Sequence, residues 1–305
     1  MRRETLRYDT KAPRICVVGA GVVGVATGRG FALAGAEVSF VDISEERVAQ
    51  LVHEGSDAHG IDSLASLRAD HYLISVPTPT RGGRVDLGAI SSASREIGQA
   101  IAARDEWSCV VVRSTVPPGT TDDLVRTILE ESSGKCAGEG FGLAMNPEFL
   151  REATAAEDFL RPRVIVVGAP EERTETAMRW LYEPWAEVDT LLMPTRAAEA
   201  TKYTANLFNA AKISFFNELH GFFESLGVDS TVAFDAAVRG AEGLWNPRYG
   251  TRGGAPFGGA CLPKDTEAFL GFAEDHGVDL AILASVVAYN ERLGATQLPS
   301  ARRSR

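Results

Sequence analysis

Arg14-Ile-Cys-Val-Val-Gly-Ala-Gly-Val-Val-Gly24 is the stretch that decides the fold. A short β-branched run, residues 14–18, ends in Gly19, Ala20, Gly21, Val22, Val23 and Gly24, a G-x-G-x-x-G spacing. An Ala/Gly-rich helical segment continues to Leu33, Gly35 breaks it, and Glu37-Val-Ser-Phe-Val-Asp42 reads as a second strand. A strand, a glycine turn, a helix and a strand ending in an acid about 20 positions later form the opening βαβ unit of a dinucleotide-binding fold. Gly19 is expected to make the tight turn, Gly21 to let the backbone approach a pyrophosphate, and Gly24 to let helix and strand pack. Asp42 is expected to accept hydrogen bonds from the adenosine ribose hydroxyls and to repel a 2′-phosphate, which selects NAD over NADP. The competing reading is a glycine-rich turn in some other α/β protein.

Further out from this unit, residues 71–76 and 109–113 read as strands, with a helix between them starting near Asp86. Residues 142–145 and 164–168 are also strand-like. Strands alternating with helices predict an α/β architecture, a doubly wound Rossmann-type, mostly parallel sheet. From residue 196 to 226 the period changes. Ala200, Tyr203, Leu207, Ala210, Ala211, Phe215, Leu219 and Phe222 recur at three- and four-residue intervals. They predict one long helix, about 45 Å at 1.5 Å per residue, closed by Gly227. The remainder, to residue 293, reads as helices around a Gly/Pro-rich loop at 245–263. The expected division is an NAD-binding domain at 1–195 and a smaller, all-helical domain at 196–305.

Composition narrows the class. The 305 residues are 45% hydrophobic, enough for two cores. A net charge of −10 argues against a nucleic-acid partner. No apolar run is long enough to span a bilayer, and residues 1–12 are charged with no apolar core of a signal peptide, so a cytoplasmic location is expected. The basic end, residues 301–305, reads as a solvated tail. Four cysteines, Cys16, Cys109, Cys136 and Cys261, are scattered without C-x-x-C spacing. No metal site or disulfide framework is expected from them. Cys16 and Cys109 fall inside apolar strand runs and read as inert core.

Cys261 is different. It lies in Pro256-Phe-Gly-Gly-Ala-Cys-Leu-Pro-Lys-Asp265, after a glycine pair and before Lys264 and Asp265. Glycines admit a ligand close to backbone, and a thiol beside a cation and a carboxylate can serve as a nucleophile. Four more segments accompany it: Val76-Pro-Thr-Pro79 with Asp86-Leu87 beyond; Arg113-Ser-Thr-Val-Pro-Pro-Gly-Thr120; Asn146-Pro-Glu-Phe-Leu-Arg-Glu152; and Ala198-Glu-Ala-Thr-Lys-Tyr-Thr-Ala-Asn206 running on to Lys212-Ile-Ser-Phe-Phe-Asn-Glu218. In this order, over residues 14–291, they resemble the UDP-glucose/GDP-mannose 6-dehydrogenase family.

The resemblance implies oxidation of a primary alcohol to a carboxylate with two NAD in succession, through a thiohemiacetal and a thioester. By resemblance Cys261 is the nucleophile, and Lys202 and Asn206, four apart on one helix face, hold the alkoxide. Glu148 matches the acid/base of thioester hydrolysis, with Thr115 and Asp265 positioning water. Glu152 matches a residue on the nicotinamide side, and would lie one turn from Glu148 were that segment helical. Arg47, Val76, Pro77, Thr78, Ser114 and Thr115 match positions along the cofactor. Phe149, Leu150, Arg151, Phe257 and Gly258 match substrate positions, and Arg248 matches an arginine donated across a homodimer interface. The bland readings are a solvated lysine for Lys202, a dipole-favoured acid pair for Glu148 and Glu152, and an ordinary loop arginine for Arg248.

Three departures fall outside the redox residues. The chain stops at Arg305, where family members continue into a third domain that grips the nucleotide. The loop from Arg248 to Cys261 is shorter than the usual pattern and carries Ala255-Pro256, and the segment between Asp42 and Val76 lacks an acidic-Pro-Gly-Leu motif. The expectation is retained chemistry with altered recognition of the leaving end. Two alternatives stay open: a two-electron alcohol dehydrogenase on a substrate that is not a nucleotide sugar, and a non-catalytic binding subunit.

Overall fold

The computed structural model describes residues 12–297. The charged N-terminal stretch and the basic tail lie outside these residues. By contact density the chain divides into two units, one ending at Ala205 and one starting at Asn206.

The first unit opens as β1 (Arg14–Val18), α1 (Val22–Leu33), β2 (Glu37–Asp42), α2 (Glu45–His53) and β3 (Asp57–Gly60). Next come β4 (His71–Ile74), a two-residue-per-strand hairpin of β5 (Thr80–Arg81) and β6 (Arg84–Val85), and α3 (Gly88–Ala102). The unit continues with β7 (Cys109–Val112), α4 (Arg126–Ser133), β8 (Gly142–Met145), α5 (Ala155–Leu160), β9 (Ile165–Gly168), α6 (Glu172–Leu181) and β10 (Thr190–Met193). Eight strands form one sheet in the order β10-β9-β8-β7-β4-β1-β2-β3. From β3 to β8 every pairing is parallel. β9 meets β8 antiparallel at a single pair, Met145 with Gly168, and β10 follows β9 in parallel. The sheet is therefore mostly parallel, as the alternation of strands and helices predicts.

Each central strand is apolar on both faces because helices cover both. In β1, Cys16 and Val18 face a core with Ile90, Ile97 and Ile101 of α3 and Leu129 of α4. Ile15 and Val17 face the opposite core, with Phe31 of α1, Leu51 of α2 and Met178 of α6. The period of two along a strand sends alternate residues to the two cores. Cys16 and Cys109 sit one in each core, fully buried, and burial pushes both thiols up, Cys16 to about 12. They are packing groups, as the apolar context predicts.

α7 (Thr195–Ser225) has 31 residues and ends before Gly227, whose φ of +71° only glycine adopts freely. The boundary between the two units falls within it. Beyond Asn206 follow α8 (Ser230–Gly240), α9 (Glu242–Trp245), the glycine-rich loop, α10 (Leu262–Asp275) and α11 (Ala281–Gln297). The core of this unit is Phe222, Ala273, Leu280 and Leu283, with Leu226, Phe269, Leu270 and Val278 against it. Glu218 of α7 accepts the N–H groups of Ile282 and Leu283 at 2.7 and 3.1 Å. That bond set caps the first turn of α11, whose leading amides have no intrahelical partner. Among the described residues no helix is long and apolar enough to cross a membrane.

Candidate functional site

Strand order reverses between β1 and β4, because the chain leaves β1 toward β2 and β3 and then crosses to the other side. A doubly wound sheet opens a crevice at the carboxyl ends of the strands flanking such a switch. A cavity of about 680 Å³ lies there, lined from β1 by Gly19 to Val23, from β4 by Ser75 to Thr78, and from β7 by Arg113 to Thr115. Asp42, Arg47 and Glu148 also line it.

The glycines divide the work as the fingerprint predicts. Gly19 has φ of +97°, and a Cβ there would sit 2.6 Å from the Ser75 carbonyl oxygen. A Cβ on Gly24 would sit 2.0 Å from the Gly19 carbonyl oxygen, so β1 and α1 could not pack. At Gly21 nothing lies within 4 Å, and its missing side chain would project into open cavity. Gly21 is also the N-cap of α1 and places no side chain over its first turn. Free amides, the positive end of a helix dipole and an open approach suit a pyrophosphate. The residues present fit a bound dinucleotide.

At the β2 side, Asp42 receives the Ala20 N–H on Oδ2 at 2.7 Å and the Ser44 N–H on Oδ1 at 2.9 Å. These bonds fix the carboxylate at the cavity wall, and each oxygen keeps a further lone pair for ribose hydroxyls. Arg47 donates from Nε to the Ala20 carbonyl at 2.7 Å and from Nη1 to Gln50 at 2.7 Å. Its position on α2 is set by Ser44, which caps that helix through the Arg47 N–H.

At the opposite side the loops after β4 and β7 are sewn together. Thr78 donates to the Thr115 carbonyl at 2.8 Å, and Ser114 donates to the Val76 carbonyl at 2.7 Å. Next to them lies the buried ion pair Lys202–Glu148, with Nζ to Oε1 2.9 Å and side chains 7% and 9% exposed. The other Glu148 oxygen accepts the Leu150 N–H, and Nζ lies 5.8 Å from the Phe149 ring centroid. One turn before Lys202 on α7, the fully buried Glu199 accepts the N–H groups of Gly119 and Thr121. It ties the far end of the Thr115 loop to the helix that carries Lys202.

Residues 147–151 run without helix, and Glu152 begins a single 3-10 turn to Thr154. Glu148 and Glu152 are thus not one helical turn apart: Glu148 is buried and Glu152 exposed. Arg151 is held in a two-pronged pair with Asp158, Nη2 to Oδ1 2.6 Å and Nε to Oδ2 3.0 Å, which keeps the Asp158 carboxyl well below its usual range. Phe149 and Leu150 are half-buried.

The remaining candidates belong to the second unit. Asn206 is exposed on α7, one turn beyond Lys202. Cys261 is exposed at the N-cap of α10, and its carbonyl accepts the Asp265 N–H at 2.8 Å. Asp265 is exposed and ion-paired with the adjacent Lys264. Phe257 exchanges two bonds with Asn290 of α11, receiving at its carbonyl and donating from its N–H, 3.1 and 2.7 Å. Arg248 and Gly258 are exposed.

Sequence reading missed several wall residues. Ile61, Ala89 and Ala93 line the cavity, yet a 3-10 turn and the first two turns of α3 carry no motif that announces them. Arg113 had a signal, a charge set directly at the end of a Val-Val-Val strand. Glu199 had one too, an acid three residues before Lys202 on a helix.

The sequence profile of the UDP-glucose/GDP-mannose dehydrogenase family, NAD binding domain, matches residues 13–62 and 61–186, and that of the family's central domain matches residues 196–292. The UDP-glucose 6-dehydrogenase of Haloferax volcanii is 36% identical over 91% of this chain and 69% of its own length. The GDP-mannose 6-dehydrogenase of Pseudomonas aeruginosa is 35% identical over 91% and 68%. Among solved structures, a ternary complex of GDP-mannose dehydrogenase from Pseudomonas aeruginosa superimposes with a TM-score of 0.85 at 34% identity, covering 92% of this chain and 69% of that one. A UDP-glucose dehydrogenase from Pyrobaculum islandicum gives 0.70 at 35% identity, covering 93% and 69%.

Proposed function

The chain belongs to the UDP-glucose/GDP-mannose dehydrogenase family, an NAD-dependent oxidoreductase, and from that premise we propose that it oxidises the C6 primary alcohol of a nucleotide sugar to a carboxylate through a thioester on Cys261. The cavity would hold NAD, which would supply the hydride acceptor, two molecules in succession taking four electrons in all. Glu148, in the wall of the cavity, takes the alcohol proton as the first hydride leaves and passes it to solvent, and Lys202 and Asn206 donate to the oxyanion. The Cys261 thiol then adds across the aldehyde, sulfur to carbon and proton to oxygen, giving a thiohemiacetal. Loss of hydride from that carbon and of the hydroxyl proton, through Glu148 to solvent, leaves the thioester. Water, positioned by Thr115 and Asp265 and relieved of a proton by Glu148, breaks the C–S bond and returns the thiol. Glu152 stands on the nicotinamide side, and Phe149, Leu150, Arg151, Phe257 and Gly258 contact the sugar nucleotide. The working form is a homodimer in which Arg248 reaches the partner's substrate.

The observation that carries this reading is the buried Lys202–Glu148 pair on the dinucleotide cavity. Burying two opposite charges costs several kcal/mol per ion before their attraction offsets it, and apolar residues would fill the same space at less cost. A developing oxyanion with a proton acceptor beside it needs this donor and this carboxylate.

The test is Cys261→Ser with UDP-glucose, GDP-mannose and simpler primary alcohols, following NADH and product mass. The shortened loop before Cys261 bears on which of them is accepted. Wild-type protein is expected to yield two NADH per acid formed. The variant is expected to make the first NADH and stall, with acid formation reduced at least about a hundredfold. Acid formation at the wild-type rate in the variant would exclude the covalent route.

A further inference from the structure

Arg113 directly follows β7, is 4% exposed and belongs to the cavity lining. Its partners are all uncharged. Nε donates to the Thr27 hydroxyl at 2.9 Å, and Nη1 donates to the Asn146 side-chain oxygen, to the Asn146 carbonyl at 3.4 Å and to the Tyr182 hydroxyl at 3.2 Å. The guanidinium carbon stands 5.5 Å from the centroid of the Phe159 ring. Among the described residues no carboxylate comes within ion-pair distance of it. The two buried acids are spent elsewhere, Glu148 on Lys202 and Glu199 on two backbone amides. Nη2 has no partner among the described residues.

A buried cation without a counter-ion is costly, and its field is screened less than that of a surface charge. Its place in the sheet says what that field meets. A dinucleotide would cross the switch point with one half on each side. With its adenosine ribose at Asp42, at the end of β2, its nicotinamide half would lie over β4 and β7, on the side of Arg113. The oxidised ring is a cation, and acceptance of a hydride makes it neutral.

We propose that Arg113 sets the oxidation-state preference of the cofactor site: its unpaired positive charge disfavours the pyridinium cation relative to the neutral dihydropyridine, and so drives bound cofactor toward hydride acceptance. A unit charge about 12 Å away at an effective dielectric constant of about 20 is worth about tenfold in an equilibrium constant. Tenfold corresponds to about 30 mV in the potential of a two-electron couple.

The experiment is calorimetric titration of wild-type protein, Arg113→Lys and Arg113→Gln with NAD⁺ and with NADH, no alcohol being present. Wild-type protein is expected to bind NADH about tenfold tighter than NAD⁺. Arg113→Lys keeps the charge and the ratio; Arg113→Gln keeps hydrogen bonding without charge and lowers the ratio about tenfold, chiefly through tighter NAD⁺ binding. The proposal is overturned if the wild-type ratio is one or less, if Arg113→Gln retains it, or if Lys and Gln shift it alike. Should Arg113→Gln fail to fold, the wild-type ratio and Arg113→Lys still decide. The inference rests on the NAD assignment and not on the thioester. Absence of any NAD binding would overturn that assignment, whereas a failed ratio leaves the covalent chemistry untouched.

Discussion

His71 is fully buried in β4, with Nε2 3.1 Å from the Ala177 carbonyl oxygen and Nδ1 without a partner. Burial is the main cause that holds its pKa down at about 4, against an ordinary 6.5. Above pH 6.5 neither the folded nor the unfolded chain protonates it. As pH falls from 6.5 to about 4 the unfolded chain takes a proton that the folded chain refuses, so stability falls, by about 3 kcal/mol over that window. Urea denaturation at pH 7 and at pH 4.5 measures it, and His71→Phe is expected to remove most of that slope. The sequence showed His71 only as the first residue of a strand; its strain comes from where the strand sits. Cysteines make the complementary case. Cys16 and Cys109 were legible as core from their apolar neighbours, whereas glycines and charges set Cys261 apart from them, and the structure leaves it exposed.

At the scale of elements, α1 shapes the glycine turn of the cavity and α7 carries the buried lysine. Gly19 and Gly24 are needed for folding of the βαβ turn, but Gly21 has open space where a side chain would be. Gly21→Ala is expected to leave the thermal midpoint within about 2 °C, since surface changes without clashes cost little. The same variant is expected to weaken NAD binding at least about tenfold, because the methyl group occupies the pyrophosphate approach. Gly19→Ala is expected to lower stability itself, through both its positive φ and contact with the Ser75 carbonyl. Thermal unfolding with NAD titration separates the two outcomes. α7 joins Glu199 and Lys202, one turn apart, to the Gly119 amide and to Glu148. A three-residue spacing on a helix was readable from sequence. Which loops the two side chains would meet was not, since Gly119 and Glu148 are brought there by separate strands.

Seen as a whole molecule, the chain carries large apolar side chains in the open on its second unit. On α7, Leu207, Phe208 and Ile213 are 63%, 59% and 62% exposed. Large apolar side chains left this exposed suit a subunit interface, in line with the proposed homodimer. Wild-type protein is expected to sediment as a dimer at micromolar concentration, and Phe208→Glu as a monomer with unchanged helix content. A wild-type monomer would count against the dimer and against the role given to Arg248. At this scale the sheet and the long helix were legible, because periods of two and of three to four residues are local properties of the chain. The reversed direction of β9 and β10 was not, because strand direction depends on how the chain returns to the sheet edge.

The sequence by itself determined the glycine turn, the acid that ends β2, the alternation that builds a doubly wound sheet, and the motif order that places the chain in its family. Each is a matter of residue type at short spacing. Only the tertiary structure decided that Lys202 and Glu148 share a buried pair, that Arg151 is bound to Asp158, and that Arg113 stands on the cavity wall without a counter-ion. Those facts depend on which remote segments meet in space, and on how little water remains between them to screen their charges.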